Sequence, residues 1–190
     1  GGWGDCSIYN IDSYQPVANG TPNAADLFGE VVAISGEYAI VGASGDDDAF
    51  NISGSATIFK FNSATSTWES QGKIFNPNAA ANDRFGIAVG ISGDYAIVGA
   101  SGDTESGQNS SGSATIFKRN VNTGVWESQG KLLNPNLASN DFFGTAVAIS
   151  GDYAIVSSPF DDENGLNNCG SVTFFKRNTS TGVWESQGKQ

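Results

Sequence analysis

One motif is written three times along this chain of 190 residues. The segment FGIAVGISGDYAIVGASGD, residues 85–103, has close copies that begin at Phe28 and at Phe143. The three starting positions lie 57 and 58 residues apart. A fixed period of this order, roughly 20–50 residues in the common cases, is typical of solenoids, propellers and other stacked arrays. Each copy must therefore adopt the same local structure and stack on its neighbours.

Each copy predicts a four-stranded antiparallel sheet. In the second copy, two apolar runs at residues 86–91 and 95–100 flank a Ser-Gly-Asp turn, which is typical of a tight β-hairpin. A third strand follows, and the fourth contains WESQGK, which occurs verbatim in all three copies. No helical periodicity appears anywhere in the chain. The predicted fold class is all-β, with the four strands of each copy arranged as an up-and-down meander.

Apolar side chains lie on both faces of the inner strands, as in YAIVGA, so each sheet needs cover on both sides. Stacked β-propeller blades supply that cover. We therefore predict propeller-type blades of 57–58 residues preceded by an extra strand. The predicted units are an N-terminal leader strand at residues 1–16 and blade repeats at residues 17–73, 74–131 and 132–190.

Composition excludes several classes of function. The formal net charge of −11 would repel a phosphate backbone, so nucleic acid is not an expected partner. No apolar run approaches the roughly 20 residues that span a bilayer, so membrane insertion is not expected. The chain contains no histidine, which removes conventional catalytic triads and histidine metal clusters. Acidic clusters recur in every copy, whereas an active site normally occurs once, and we predict that the protein is not an enzyme.

Several features predict a secreted, extracellular protein. The chain begins at Gly1 and has no methionine, as expected of a mature product whose leader has been removed. Cys6 and Cys169 predict one disulfide, within or between chains, with two buried free thiols as the alternative. Four Asn-X-Ser/Thr triplets predict N-glycosylation. They stand at Asn19, Asn51, Asn109 and Asn178.

Acidic residues gather in the loop between the second and third strands of each copy. Their oxygens suit calcium, which takes six to eight oxygen ligands. Their spacing differs between copies, so we expect solvated turn residues and no cofactor, with calcium as the alternative. The candidate metal ligands are Asp46, Asp48, Asp103, Glu105, Asp161 and Glu163. A second, regular set, Asp26, Asp83 and Asp141, is expected to accept hydrogen bonds from local backbone amides.

The tryptophans of WESQGK are candidates for carbohydrate binding, because an indole face stacks on the apolar face of a sugar. Three copies would add avidity. The alternative, which we favour, is that each ring packs between blades. The three residues are Trp68, Trp126 and Trp184.

Phe-Gly pairs open the three copies, and Val-Gly-Ala follows at residues 41–43 and 98–100. This pattern resembles the FG-GAP repeat of integrin-α-type β-propellers, particularly its bacterial-style variant with Trp in the last strand. The resemblance implies propeller blades and a non-catalytic, usually extracellular, role in recognition or adhesion. The calcium loop of integrin repeats is here shortened to Ser92-Gly93-Asp94 and its equivalents, so the integrin-type metal site is expected to be absent. The third copy departs from the pattern with Ser157-Ser158 followed by Pro159.

Three blades are fewer than the roughly four to eight that close a propeller. The end of the last copy at Gln190 is in register with the start of the first at Val17. Matching ends predict a junction between chains, which makes a ring if the rotation closes and a filament if it does not. A fragment of a longer propeller protein is the alternative.

The leading hypothesis is a secreted glycoprotein that self-assembles, as a head-to-tail filament or a closed multi-chain propeller, into an extracellular structural or adhesive component. Its expected partner is therefore a further copy of itself. The second hypothesis is a multivalent, lectin-like β-propeller module, for which the partners are glycans or extracellular matrix.

Overall fold

The computed structural model describes residues 23–163 and 165–190, and within them every regular element is a β-strand. The predicted leader strand at residues 1–16, Cys6 and Asn19 lie outside the described residues. The strands are β1 (Val32–Ser35), β2 (Tyr38–Ala43), β3 (Ser55–Asn62), β4 (Thr67–Ile74), β5 (Phe85–Ser92), β6 (Tyr95–Ala100), β7 (Ser113–Arg119), β8 (Trp126–Leu132), β9 (Val147–Ser150), β10 (Tyr153–Ser158), β11 (Ser171–Arg177) and β12 (Trp184–Lys189). No helix in this part of the chain is long and apolar enough to cross a membrane.

The strands form three four-stranded antiparallel sheets, each with its strands in sequence order. We call them blade 1 (β1–β4), blade 2 (β5–β8) and blade 3 (β9–β12). This arrangement confirms the prediction of an all-β chain of propeller-type meanders. The strands β4 and β8 extend one residue past residues 73 and 131, at which the repeat boundaries were predicted.

A β-bulge interrupts the last pair of strands in every blade. In blade 1 the register shifts between Ile58 and Phe59. Opposite the shift, Gly72 has a φ of 110°, a backbone conformation that residues with a Cβ rarely adopt. Gly130 and Gly188 have φ values of 109° and 117° at the same place in the other blades. The glycine of WESQGK is therefore explained by this bulge, which twists the outermost strand.

The blades stack face to face, and the core lies between them. One apolar cluster joins residues of blade 1, such as Ile40 and Ile58, to Phe85 and Phe117 of blade 2. A second cluster joins blade 2 to blade 3 in the same way. We call the side of a blade that contacts the next blade its forward face and the opposite side its rear face. Among the described residues, blade 2 alone has both faces covered.

The two interfaces between blades repeat the same contacts. The amide of Gly93 donates to Ser35 Oγ at 3.2 Å, and the amide of Gly151 donates to Ser92 Oγ at 3.1 Å. Backbone pairing also crosses between blades, because Gly54 forms a parallel bridge with Phe85, as Gly112 does with Phe143. Stacking is thus specified by hydrogen bonds as well as by apolar packing.

Candidate functional site

The acidic loops of the three blades are closed by lysines of the WESQGK segments. Lys131 Nζ lies 2.6 Å from Asp103 Oδ2 and 2.6 Å from Glu105 Oε1. Lys73 contacts Asp46 and Asp48 in blade 1, and Lys189 contacts Asp161 and Glu163 in blade 3. All six carboxylates named as candidate metal ligands therefore meet a lysine of their own blade, and the ammonium stands between the two carboxylates of each pair.

Asparagine side chains extend these clusters between blades. Asn76 Nδ2 donates to Asp83 Oδ2 at 2.9 Å and to Asp103 Oδ2 at 3.2 Å. Asn134 Nδ2 donates to Asp141 and Asp161 in the same pattern. These asparagines follow the last strand of one blade and bind carboxylates of the next. Each lysine cluster is thus connected to the loop that precedes its blade.

The regular aspartates form the local turns that their positions predicted. Asp83 Oδ2 accepts a hydrogen bond from the amide of Ala80 at 2.7 Å, and Asp141 Oδ2 accepts one from Ala138 at 3.0 Å. In blade 1, Asp26 Oδ2 accepts the amide of Asn23 at 2.7 Å. The expectation that these residues bind local backbone amides is confirmed.

Burial and charge pairing shift several pKa values in the clusters. Burial raises the pKa of Asp83 and of Asp141, and a neighbouring aspartate acts in the same direction. Burial also opposes the charge of Lys131, but hydrogen bonds to Asp103 and Glu105 outweigh it and hold the lysine pKa above its ordinary value. The pKa values of Lys73 and Lys189 are raised for the same reason.

Asp161 shows the opposite shift. Burial would raise its pKa, but hydrogen bonds from Lys189, Ser171 and Asn134 outweigh burial and lower it. The carboxylate of Asp161 and the ammonium of Lys189 therefore stabilise each other in their charged forms. Such a pair acts as a structural tie, because neither group is set up to give or take a proton near neutral pH.

One group of carboxylates among the described residues has the spacing of a metal site. Ligand oxygens of Asp26, Asp46 and Asp47 all lie within 4.8 Å of one another. Two of these residues, Asp26 and Asp47, were not among the predicted ligands. The sequence placed Asp26 in a turn before the first strand, and only the fold brings it to the loop after the second strand.

The three WESQGK tryptophans have different surroundings. Trp126 is 8% exposed, and its ring meets Tyr38 of blade 1 edge to face, with centroids 5.8 Å apart. Trp184 packs on Tyr95 of blade 2 at 6.0 Å. Trp68 packs on Phe61 of its own blade and is 37% exposed. Two rings thus lie between blades, and the third lies at the rear face of blade 1.

The predicted modification sites lie mainly at the surface. Asn51 and Asn109 are exposed, and they occupy equivalent loops of blades 1 and 2. Asn178 is half-buried, and its side-chain oxygen accepts the amides of Ser180 and Thr181. Cys169 is exposed and carries a free thiol among the described residues. Its pairing with Cys6 stays a prediction.

Two apolar faces are left open at the ends of the stack. The rear face of blade 1 forms a shallow depression lined by Phe28, Val32, Ile34 and Trp68. The forward face of blade 3 presents Tyr153 and Phe174, together with half-buried Ile155 and Val172. No described element covers either face. Because the equivalent faces inside the stack are packed, these two surfaces are the strongest candidates for a binding site.

Comparison with known proteins bears on the fold and the family. No curated protein matches the sequence. A crystal structure of a protein from Lactobacillus plantarum has a similar fold, with a TM-score of 0.54 and 14% sequence identity. The similarity covers 89% of this chain and 43% of that one, so the chain spans less than half of the length of that protein.

The family model described as the FG-GAP repeat matches three segments, at residues 20–59, 68–117 and 126–175. Each match runs from the last strand of one repeat into the third strand of the next, or covers the first three strands of blade 1. The matched segments make up more than half of the chain and contain the stacking residues described above. The chain therefore belongs to the FG-GAP repeat family.

Proposed function

We propose that this protein is a secreted, non-catalytic module that associates with further copies of itself, head to tail, to form an extracellular structural or adhesive assembly. One observation carries the proposal. Positions that are buried between blades inside the stack are exposed at its two ends and keep their apolar character.

The rear face of blade 1 retains the residues that cover this side of the other blades. Val32 and Ile34 are 68% and 66% exposed. The residue of blade 2 that corresponds to Ile34 is Ile91, which is 7% exposed. Exposed apolar area of this kind is unfavourable in water and is the usual mark of an interaction surface. Blade 1 therefore offers a packing surface of the same chemistry as the internal ones.

The forward face of blade 3 is the complementary surface. Tyr153 is 58% exposed and Phe174 is 43% exposed. The counterparts of Phe174 are Ile58 and Ile116, which are 0% and 1% exposed. Tyr38 and Tyr95, the counterparts of Tyr153, each receive a tryptophan ring from the next blade. Tyr153 has no such ring among the described residues.

Inside the stack a forward face always packs on a rear face. A second copy that continues this rule would place its blade 1 on the blade 3 of the first. Such a contact joins two different surfaces, so it extends into a filament or closes into a ring. The proposal commits to this arrangement because it is continuous with two interfaces that the chain already makes.

The absence of catalysis is proposed on chemical grounds. The chain has no histidine, and the paired carboxylates of the loops are held in charged contacts with lysines in each blade. Ion pairs of this kind recur three times, as a structural feature does. The proposal of secretion rests on the mature-type start of the sequence and on its glycosylation triplets.

Two capped variants test the association. Ile34→Asp puts a charge on the rear face of blade 1, and Phe174→Asp puts one on the forward face of blade 3. Both side chains are largely exposed, so folding should be retained. We expect the wild type to associate with rising concentration in light scattering, and each variant alone to stay monomeric. An equimolar mixture should give a 1:1 dimer that does not grow, because each variant keeps one intact face.

A third variant is the control for added charge. Val121 is 64% exposed at the tip of the β7–β8 hairpin, away from both faces. Val121→Asp should therefore associate as the wild type does. A wild-type chain that stays monomeric up to millimolar concentration would overturn the proposal, and further blades of a longer polypeptide would then be the expected cover. Dimers formed by the Ile34→Asp or Phe174→Asp variant alone would overturn the head-to-tail arrangement.

Carbohydrate binding is the second candidate, and the exposure of Trp68 favours it. The apolar depression around this ring is suited to one sugar face. A multivalent platform would need Trp126 and Trp184 as well, and these pack on tyrosines of the preceding blades. Binding to a glycan array that is lost in Trp68→Ala, with self-association absent in the wild type, would favour this candidate over assembly.

A further inference from the structure

Close backbone approach is a feature of both internal interfaces. A Cβ atom built on Gly42 would lie 2.1 Å from the carbonyl oxygen of Gly86 in the next blade. A Cβ atom on Gly99 would lie 2.0 Å from the carbonyl oxygen of Gly144. Real Cβ atoms do not come this close to a backbone oxygen. Glycine at these two forward-face positions is therefore what allows the blades to pack at their observed spacing.

Blade 3 carries serine at this position. Gly42 pairs with Ala56 across the sheet, Gly99 pairs with Ala114, and Ser157 pairs with Val172. Ser157 is half-buried, and its Oγ accepts a hydrogen bond from the amide of Ala146 at 2.9 Å. The side chain is thus held in place within its own blade. Its Cβ occupies the space that an incoming backbone would need.

Neighbouring positions on the same face are also larger than their counterparts. Ala56 and Ala114 are fully buried, and valine replaces them at residue 172. Phe174 stands where the other blades have isoleucine. The forward face of blade 3 is therefore bulkier than the internal forward faces at the end of the strands nearest the acidic loop.

The opposite surface shows no matching obstruction. Gly29, on the rear face of blade 1, has a φ of +92°, close to the +91° of both Gly86 and Gly144. Among the described residues, nothing lies within 4 Å of a Cβ built on Gly29. The backbone that would approach blade 3 thus has the internal conformation. The difference between an internal interface and a junction between copies lies on the blade 3 side.

We infer that Ser157 determines the affinity of the junction between copies, an inference that rests on the proposed head-to-tail association. Its Cβ holds the loop end of the second copy away from blade 3 and makes the junction weaker than the interfaces between blades. The hairpin end is unobstructed. There Ser150 corresponds to Ser35 and Ser92, which accept an amide from the next blade, and Tyr153 corresponds to the tyrosines that receive a tryptophan.

Removal of the Ser157 Cβ tests the inference. We expect Ser157→Gly to lower the dissociation constant for self-association about tenfold, equivalent to about 1.4 kcal/mol, because overpacking at a tight contact is relieved. Ser157→Ala is the matched control, since it removes the hydroxyl and keeps the Cβ, and it should bind no more tightly than the wild type. Sedimentation velocity over a concentration series measures all three constants. The midpoint of urea unfolding for each monomer checks that folding is retained.

Glycine weakens a strand by about 0.5–1 kcal/mol, so a variant that does not depend on glycine is also needed. Ser157→Val keeps good strand propensity and adds volume, and we expect it to weaken association about tenfold. A wild type that associates with the same constant as Ser157→Gly and Ser157→Val would overturn this inference and leave the head-to-tail proposal standing. A tighter constant for Ser157→Ala equal to that of Ser157→Gly would also overturn it. Failure of the wild type to associate would instead overturn the proposed function itself.

Discussion

The second strands of blades 1 and 2 have the same sequence, YAIVGA, and different burial. In blade 2 the alanine and valine of the rear face, Ala96 and Val98, are fully buried. In blade 1 their counterparts, Ala39 and Val41, are half-buried. The difference comes from the preceding blade, which covers the rear face of blade 2. Local sequence therefore determines the strand, and a neighbouring sheet determines whether its apolar face is used.

The largest effect that would sharpen this comparison concerns the Phe-Gly phenylalanines. Phe85 is fully buried between blades 1 and 2, and its ring contacts Phe117. We expect Phe85→Ala to lower the free energy of unfolding by about 3–5 kcal/mol, because it leaves a cavity in the core. Phe28 is half-buried on the open rear face, so Phe28→Ala should cost clearly less. Equal losses in urea unfolding of the monomers would show that the face of blade 1 is covered.

Lysine clusters provide the contrasting case, because each lies within one blade. Lys131→Met leaves the carboxylates of Asp103 and Glu105 without their ammonium partner, and Asp103 is 3% exposed. We expect a loss of about 3 kcal/mol in unfolding free energy, as for other half-removed buried pairs. Lys189→Met in blade 3 should cost a similar amount, since its partners are equivalent.

The exposed Lys118 supplies the control for these variants, because Lys118→Met removes a charge outside the clusters. Its effect should stay within about 0.5 kcal/mol. A loss in Lys131→Met no larger than in Lys118→Met would contradict a structural role for the clusters.

Two glycines with the same backbone conformation separate strain from contact between blades. Gly86 and Gly29 have φ values of +91° and +92°, so alanine is equally strained at both. A Cβ at Gly86 would lie 2.1 Å from the carbonyl oxygen of Ser55, while a Cβ at Gly29 meets nothing within 4 Å among the described residues. We expect Gly86→Ala to cost about 1–3 kcal/mol more than Gly29→Ala in the monomer. Identical thermal midpoints for the two variants would contradict close packing of blades 1 and 2.

The smallest expected effect is on the dependence of stability on alkaline pH. The pKa of Lys131 is raised above its ordinary value of 10.5 by its carboxylate partners. A lysine with a higher pKa in the folded state stabilises the fold fully below pH 10.5, and this contribution is lost as pH rises through the folded pKa. Wild-type thermal stability should therefore fall above this pH. Lys131→Met should fall less steeply than Lys118→Met, and parallel curves would contradict the shift.

Acid should have a mixed effect, because the carboxylates shift in both directions. The lowered pKa of Asp161 contributes stability that is lost as pH falls through its folded value. The raised pKa values of Asp83 and Asp141 have the opposite sign, since protonation relieves the cost of burying their charge. The alkaline side is therefore the clearer test of the clusters.

Much of the fold follows from the repeat, and less of the site does. The period, the hairpin turns and the two-sided apolar strands predicted three meanders, and the structure contains them. The lysine partners of the acidic loops were not predicted, although the signal was present. Asp46 stands 27 residues before Lys73, and Asp103 and Asp161 stand 28 residues before Lys131 and Lys189. A charge pair repeated at constant spacing in every copy would have indicated an ion pair.

The sequence by itself determined what each repeat becomes. Alternating apolar residues form its strands, Gly72 and its equivalents permit the bulge, and aspartates close its turns, all through contacts within a few residues or one sheet. Only the tertiary structure decided which copy of an identical strand is buried. Trp126 and Trp68 belong to the same hexapeptide, yet one packs on Tyr38 of the preceding blade and the other is left at an open face. Burial depends on a second surface, and a local sequence does not specify whether that surface is present.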